Sequence, residues 1–327
     1  MKIAAILRSD NSGLGSMSRE FAENLRPHKI ALVQNGVFNT FPERYSEFDC
    51  RTVRTNSDFR EIRDWLLEDV DVVVAIETPY DWQVFSDAKR KGVKSALITM
   101  VEMQDRTLRF PPDLYICPSK LDYQEMPDEK VLMQWPVNTD KLIWKKREKA
   151  HTFVHSASHW GIDGRKGTNH VIEAMRYVKS DIKLKVYSWQ QVEVDDPRIE
   201  IIVQNFKNYW QMWREGDVLI YPQNFNGICL PIVEAMSSGL GVITTDIFPF
   251  NEYMPKRLLF KPGATYKTRI SPRTIEVDAV EIDPKEIAKK IDEIANKDIS
   301  DVSLYGKEWA EKNSWNKLKK EWLKILG

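Results

Sequence analysis

Two glycine-containing segments in the second half of the chain carry the charged residues best suited to chemistry. Arg165 and Lys166 stand side by side in HWGIDGRKGTN, residues 159–169, between a strand-like run and a helical one. Two permanent positive charges beside a helix start can hold a polyphosphate. Glu234 stands in PQNFNGICLPIVEAMSSG, residues 222–239, near the start of a predicted helix. The alternatives are a solvated basic turn and a carboxylate that only complements the dipole of its own helix.

A third segment, near the N-terminus, has the composition of an anion-binding turn. Ser12-Gly13-Leu14-Gly15-Ser16 lies between the first predicted strand and its helix. Glycines there let the backbone approach an anion, and a helix N-terminus offers unpaired N–H groups. The segment lacks the full dinucleotide-binding fingerprint, because position 18 is Ser. A plain strand-to-helix turn is the alternative interpretation.

The elements that must position these residues alternate short apolar runs with longer helical patterns. This alternation is typical of βαβ units and parallel sheets, and runs such as VDVVVAI are apolar without alternation, as in strands covered on both faces. The predicted strands of the first half are Lys2–Leu7, Ile30–Val33, Val70–Ile76, Ser95–Thr99 and Tyr115–Cys117. Those of the second half are Thr152–Ser156, Lys183–Tyr187, Glu200–Val203, Val218–Tyr221 and Gly241–Thr245. The sequence therefore predicts an α/β fold with two Rossmann-like, doubly wound domains facing across a cleft.

The predicted boundaries follow changes in composition. Residues 1–138 form an N-terminal Rossmann-like domain, and the basic, poorly periodic residues 139–150 form a linker. Residues 151–303 form a second Rossmann-like domain, and the Trp-rich residues 304–327 form a C-terminal helix that docks on the N-terminal domain. Helices are predicted from about Asp81 to Lys91 and at Asn169–Lys179, Tyr209–Arg214 and Pro231–Ser238, and one begins after the N-cap Asp283.

Composition excludes several classes of protein. The 327 residues hold 48 Lys and Arg against 48 Asp and Glu, so no global field attracts nucleic acid or anionic lipid. The apolar runs are much shorter than the ~20 residues of a membrane span, and nothing at the N-terminus reads as a signal peptide. Three widely spaced cysteines fit a reducing cytosol, so a cytoplasmic protein is expected. His151, His155 and His159 lie in a segment predicted as strand and loop, without a nearby Cys or acidic ligand, which favours roles other than metal binding.

Taken together, these motifs resemble the retaining glycosyltransferases of family 4, which have the GT-B fold. PQNFNGICLPIVEAMSSGLGVITTD matches the family's donor-site segment in register, with Glu234 as the second acid of its Glu-x7-Glu pair. Asn226 replaces the first acid of that pair. The family's Lys-Gly after the first strand of the second domain corresponds to Lys166-Gly167, and its N-terminal glycine-rich loop corresponds to residues 13–15. The resemblance spans essentially the whole chain.

The resemblance implies a soluble hexosyltransferase that uses a UDP- or GDP-linked sugar and needs neither a metal nor another cofactor. Some members place a His near the acceptor at a strand end that here reads Met100-Val101-Glu102. The expected catalytic residues are Lys166, Arg165 and Glu102. The expected donor-binding residues are Gly13, Leu14, Gly15, Lys166, Asn226, Gly227, Ile228, Leu230 and Glu234.

The acceptor stays open at the level of the sequence. A glycan, a lipid-linked sugar or a small molecule fits the resemblance, and no integral membrane segment is expected. One alternative is a transferase acting on modified bases of phage DNA, which many aromatics and local basic runs favour and a net charge of zero disfavours. A second alternative is a catalytically degenerate GT-B protein that binds a sugar nucleotide, suggested by Asn226.

Overall fold

The computed structural model describes residues 1–34, 39–54, 56–105, 109–127, 129–158, 166–203 and 209–327. These residues form two compact units. Unit 1 comprises Met1–Trp135, Arg269–Glu276 and Trp315–Gly327, and unit 2 comprises Pro136–Thr268 and Val277–Ser314. The division differs from the predicted one, because a short internal segment and the C-terminal residues join the N-terminal unit.

Unit 1 is built on one parallel sheet. Its strands are β1 (Ile3–Arg8), β2 (Lys29–Val33), β3 (Cys50–Val53), β4 (Val72–Ile76), β5 (Lys94–Ile98), β6 (Leu114–Cys117) and β7 (Lys130–Leu132). They lie in the order β3-β2-β1-β4-β5-β6-β7, which is the Rossmann order with one strand added. The helices α1 (Gly13–Leu25), α2 (Asn56–Leu66), α3 (Gln83–Lys91) and α4 (Lys120–Glu125) connect the strands. The central strands β1 and β4 are buried along their whole length, which explains their unbroken apolar runs.

Unit 2 repeats this plan. Its strands are β8 (Thr152–Ser158), β9 (Lys183–Ser188), β10 (Ile199–Val203), β11 (Val218–Ile220), β12 (Gly241–Thr245) and β13 (Leu259–Phe260). They form a parallel sheet in the order β10-β9-β8-β11-β12-β13, and β14 (Thr265–Thr268) and β15 (Val277–Val280) form a separate antiparallel hairpin. The helices are α5 (Thr168–Ala174), α6 (Leu230–Ser237), α7 (Phe250–Tyr253), α8 (Pro284–Ile294) and α9 (Ser300–Lys312). Two predicted helices differ: α5 ends at Ala174, and Tyr209–Arg214 is a 3-10 helix.

Hydrophobic clusters cover both faces of the unit 2 sheet. Neighbouring residues of β8 point to opposite faces, so Phe153 joins the cluster under α5 and α8 while Val154 joins the cluster under α6 and α9. Both side chains are fully buried. Helices on both faces leave the edge of the sheet at the carboxyl ends of its strands as the place for functional loops.

The predicted linker at 139–150 is wrong, because these residues are an integral part of unit 2. The Arg147 side chain is 4% exposed, and its guanidinium donates to the carbonyl oxygens of Gly216 at 2.7 Å and Trp213 at 3.0 Å. The Trp144 indole donates to the carbonyl oxygen of Ser303 at 3.0 Å. Residues 139–150 are therefore a segment of unit 2 that is held by hydrogen bonds from Trp144 and Arg147, although their basic composition suggested a linker.

The C-terminal residues form two helices, α9 in unit 2 and α10 (Trp315–Leu326) in unit 1. The single predicted helix at 304–327 is therefore corrected to two. Trp135, which is 1% exposed, lies edge-on to Trp315 at 5.5 Å and to Trp322 at 5.6 Å between ring centroids. These three residues form a tryptophan cluster, and α10 also packs against α1. Part of the high Trp content thus anchors the last helix to the first unit.

Within the described residues, no helix combines the length and the apolar character that crossing a membrane requires.

Candidate functional site

Lys166 immediately precedes the N-cap of α5 at the carboxyl edge of the unit 2 sheet. The next residue, Gly167, is the N-cap of α5 and has a φ of 66°. A Cβ atom built on Gly167 would lie 2.6 Å from Cγ of Pro222, the residue that opens the loop after β11. Only glycine accepts both the left-handed backbone and this approach. The glycine therefore holds Lys166 close to the loop that follows β11.

Glu234 lies in α6 and is buried, with 7% of its surface exposed. The Tyr209 hydroxyl donates to its Oε1 at 2.8 Å. Burial raises the pKa of Glu234 to about 7, while the Tyr209 hydrogen bond and the positive charge of Lys166 act in the opposite direction. Lys166 and Glu234 thus lie close enough to interact electrostatically, so the structure brings the predicted cation and the predicted carboxylate together.

His155 joins the elements around Lys166. Its Nδ1 lies 2.8 Å from the carbonyl oxygen of Ile220, and its Nε2 lies 2.9 Å from Oγ1 of Thr168. A carbonyl only accepts, so Nδ1 carries the proton, and in the neutral ring Nε2 accepts from the threonine hydroxyl. Burial lowers the pKa of His155 to about 4, and the charge of Lys166 acts in the same direction. His155 is therefore a neutral residue whose hydrogen bonds link β8 to β11 and α5.

The loop between β11 and α6 is held by its own side chains. The Asn226 amide donates to Oε1 of Gln223 at 3.0 Å, and its Oδ1 accepts from the backbone N–H of Cys229 at 3.2 Å. Cys229 has a φ of 49°, which is uncommon for a residue with a side chain. Gly227 and Ile228 between them are buried, so the loop is a compact turn. The next residue, Leu230, is half-buried and begins α6.

In unit 1 the glycines of the predicted anion-binding loop lie in the first turn of α1, which corrects the prediction of a loop. Ser12 is the N-cap, and its Oγ accepts from the backbone N–H of Gly15 at 3.1 Å. A Cβ atom on Gly15 would lie 2.0 Å from the backbone oxygen of Asp10. The first N–H groups of a helix, here those of Gly13 and Leu14, have no intrahelical partner.

A buried arginine at the end of β1 was missed by sequence reasoning. Arg8 Nε donates to Oδ2 of Asp10 at 2.6 Å, and its Nη1 donates to the Tyr80 hydroxyl at 3.4 Å. Tyr80 and nearby Glu77 have left-handed backbones, with φ values of 62° and 63°. The signal in the sequence was a charged residue closing an otherwise apolar run. Arg8 thus links the end of β1 to Asp10 and Tyr80 at the carboxyl edge of the sheet.

Glu102, the predicted acceptor-side residue, is 3% exposed and lies in the 3-10 helix Val101–Met103 after β5. It interacts electrostatically with Asp122, which sequence reasoning did not select. The predicted Arg165 and His159 lie outside the described residues. Across the described ranges, no three residues among His, Cys, Asp and Glu are grouped as metal ligands would be.

The architecture and these carboxyl edges define the GT-B fold, two Rossmann-like units on one chain. No protein-family model and no curated protein sequence matches this chain. Solved structures with similar folds include HepE of Anabaena in complex with UDP-glucose, with a TM-score of 0.70, 13% identity and coverage of 100% of this chain and 99% of that one.

Two further similar structures are also matched over nearly their whole length. The lipopolysaccharide outer core galactosyltransferase WaaB has a TM-score of 0.64 and 14% identity, and the match covers 99% of this chain and 98% of that one. Sucrose-phosphate synthase from Thermosynechococcus elongatus has a TM-score of 0.64 and 13% identity, with the same 99% and 98% coverage. At such identities the likeness establishes the fold.

Proposed function

We propose that this protein is a glycosyltransferase of the family 4 type that moves a hexose from a nucleotide-sugar donor to a hydroxyl group of an acceptor, with retention. The observation that carries the proposal is that Lys166 lies close enough to the buried Glu234, at the carboxyl edge of the unit 2 sheet, for its charge to act on the carboxylate. A nucleoside diphosphate offers both an anion for the lysine and ribose hydroxyls for the carboxylate.

In the proposed reaction the bond between the anomeric carbon and the diphosphate oxygen breaks, and its electron pair stays with the diphosphate. The acceptor oxygen forms the new bond to the anomeric carbon on the same face, and its proton passes to the leaving phosphate. Lys166, together with Arg165, stabilises the charge that grows on the diphosphate. Such a contribution is electrostatic and uses no metal and no other cofactor.

Glu234 is assigned to the ribose of the donor, because a carboxylate accepts two hydrogen bonds at once. Asn226, Gly227, Ile228 and Leu230 are assigned to the sugar. The Asn226 side chain is hydrogen-bonded to Gln223 and to the backbone of Cys229 in the turn. We therefore assign it the role of shaping the sugar pocket. We assign the base as uracil because HepE, a protein with the same fold, is described in complex with UDP-glucose.

The acceptor is assigned to unit 1, where Glu102 would hydrogen-bond the reacting hydroxyl. The first N–H groups of α1, on Gly13 and Leu14, are the proposed contacts of an anionic group there. A glycan, a lipid-linked sugar or a small molecule is the proposed acceptor class. All three cysteines are free thiols, which supports a cytoplasmic location.

The test is UDP release from UDP-glucose and related donors by the wild-type chain and by Lys166→Ala. Loss of one charge-stabilising donor is expected to lower the rate about 10²- to 10³-fold. The matched control is Lys185→Ala, which removes an ion pair with Glu215 elsewhere in unit 2 and should leave the rate unchanged. Near wild-type turnover in Lys166→Ala would refute the proposed phosphate contact. Absence of turnover with every nucleotide sugar would favour a binding protein instead.

A further inference from the structure

The turn that carries Glu102 is held by a buried carboxyl group from another helix. Asp122, in α4, accepts the backbone N–H of Val101 on its Oδ1 at 2.7 Å. The same oxygen accepts the hydroxyl of Thr99 at 3.2 Å. These contacts lie on the residue immediately before Glu102 and on the end of β5. One oxygen atom therefore sets the direction in which the chain leaves the strand and enters the turn.

Asp122 is itself fixed in place. It is fully buried, and its backbone N–H donates to the Oγ of Ser119, the N-cap of α4, at 3.1 Å. The Ser119 hydroxyl also forms a short hydrogen bond to Oδ2 of Asp122. Both oxygens of the carboxyl group are thus engaged, one by the turn and the other by the cap. A buried polar group satisfied in this way has little freedom to move.

The far end of the turn is held as well, by the hairpin tip that belongs to unit 1. The backbone N–H of Ile275 donates to the carbonyl oxygen of Gln104 at 2.9 Å, and Thr274 pairs with Asp105 in an antiparallel bridge. Glu102 therefore lies in a turn that is fixed on both sides. The contacts on the two sides differ, because Asp122 acts through its side chain whereas Gln104 and Asp105 are held through their backbones.

Two carboxyl groups meet at this turn. Burial raises the pKa of Asp122 to about 7, and the negative charge of Glu102 adds to the effect. The other groups that face Asp122 are Cys117 on β6, whose pKa burial raises to about 12, and Lys130 on β7, which interacts with Cys117. The thiol is therefore neutral, and Glu102 is the charged group that Asp122 meets most directly.

We propose that Asp122 is a positioning residue for Glu102, fixing the turn that presents the acidic side chain. The proposal rests on the assignment of Glu102 to the acceptor hydroxyl. Asp122 contacts no substrate in this scheme and acts only through the turn.

Two substitutions test the proposal, one that removes the contacts of Asp122 and one that keeps them. Asp122→Ala removes the contacts to Val101 and Thr99, so the backbone N–H of Val101 should exchange with deuterium faster. The value of kcat should fall on the order of 10²-fold with KM for the donor unchanged, as expected when a reacting group is misplaced. Asp122→Asn keeps an oxygen for both contacts and an N–H group for Ser119, so slow exchange should persist. Because the turn keeps its contacts, kcat in Asp122→Asn should return close to the wild-type value.

The control is Asp217→Asn in unit 2. The Asp217 carboxylate also accepts backbone N–H groups, those of His151 and Thr152, and has no link to Glu102. This variant should leave both the exchange at Val101 and kcat unchanged. Unchanged exchange in Asp122→Ala would overturn the proposal, and so would a kcat in Asp122→Asn as low as that of Asp122→Ala while exchange at Val101 stays slow. If no donor is turned over by the wild-type chain, the proposed function fails, and the exchange rate alone still decides whether Asp122 fixes the turn.

Discussion

A glycine lies at the start of the first helix of each unit, and the two helix starts are built differently. In unit 1, Ser12 caps α1 and Gly15 lies against the backbone of Asp10, so the turn is closed by its own residues. In unit 2, Gly167 is itself the cap of α5 and lies against the side chain of Pro222, which belongs to another loop. The start of α1 is therefore packed by residues of its own segment. The start of α5 packs against the loop that follows β11, and Lys166 immediately precedes its N-cap.

The largest expected effect is a loss of stability at the start of α1. In Gly15→Ala the new Cβ atom would meet the backbone oxygen of Asp10 2.0 Å away, so the backbone itself must shift. We expect the free energy of unfolding to fall by about 3 kcal/mol, at the upper end of overpacking costs. Chemical denaturation measures it, and Ser16→Ala in the same helical turn is the control. A loss below about 1 kcal/mol would show that the turn relaxes easily and would remove the contrast with unit 2.

A smaller loss is expected in the second turn. Gly167→Ala meets a left-handed backbone, costing about 1–2 kcal/mol, and also meets the Pro222 side chain, which can shift. Gly92 has a φ of 71° with open space around its Cβ position, so Gly92→Ala isolates the backbone cost. We expect Gly167→Ala to exceed this control by about 1 kcal/mol and to lower UDP-glucose turnover, because Lys166 moves. Equal losses in the two variants would mean that Pro222 does not constrain the turn.

The smallest expected effect concerns the charge of Glu234. With its pKa at about 7, the ionised form is the minor one below that pH and the major one above it. Ribose hydroxyls favour the ionised form, so the affinity for UDP-glucose should rise as pH increases through 7, by about 1 kcal/mol. Calorimetry between pH 6 and 8 measures this change, since the diphosphate of the donor does not titrate there.

Two variants sharpen this test. Glu234→Gln should bind UDP-glucose with an affinity independent of pH. Tyr209→Phe removes the hydrogen bond that favours the ionised carboxylate, so the midpoint of the affinity change should move to higher pH. A wild-type affinity that stays flat across the range would contradict the assignment of Glu234 to the ribose and leave the residue with a role in its own helix.

The buried strands and the motif-bearing loops could be predicted from the sequence because their signals are local. Apolar runs such as Val72–Ile76 identify strands covered on both faces, and Asp283 with Pro284 identifies the start of α8. The edge strand Cys50–Val53 was missed because two of its residues are exposed and polar, so no apolar run marks it. The hairpin was missed for a similar reason, since all of β14 is polar except Tyr266.

The partners of the site residues could not be predicted, because they come from distant parts of the chain. Tyr209 reaches Glu234 from a 3-10 helix, and Asp122 reaches Val101 from the next strand-helix pair. Nothing in the sequence around Tyr209 or Asp122 marks either residue as unusual. Only the fold brings each one to its partner. The pairing of Lys166 with Glu234 was foreseeable only because both occur in segments that resemble one family's motifs.

The tryptophan cluster of Trp135, Trp315 and Trp322 sets an order of assembly. Protein chains are synthesised from the N-terminus, so the residues up to Trp135 leave the ribosome first, with the apolar surface under α10 uncovered. All of unit 2 is translated before Trp315 and Trp322 appear. Unit 1 is therefore synthesised first but completed last, and until α10 is made its uncovered Trp135 surface is an exposed apolar patch of the kind that promotes aggregation.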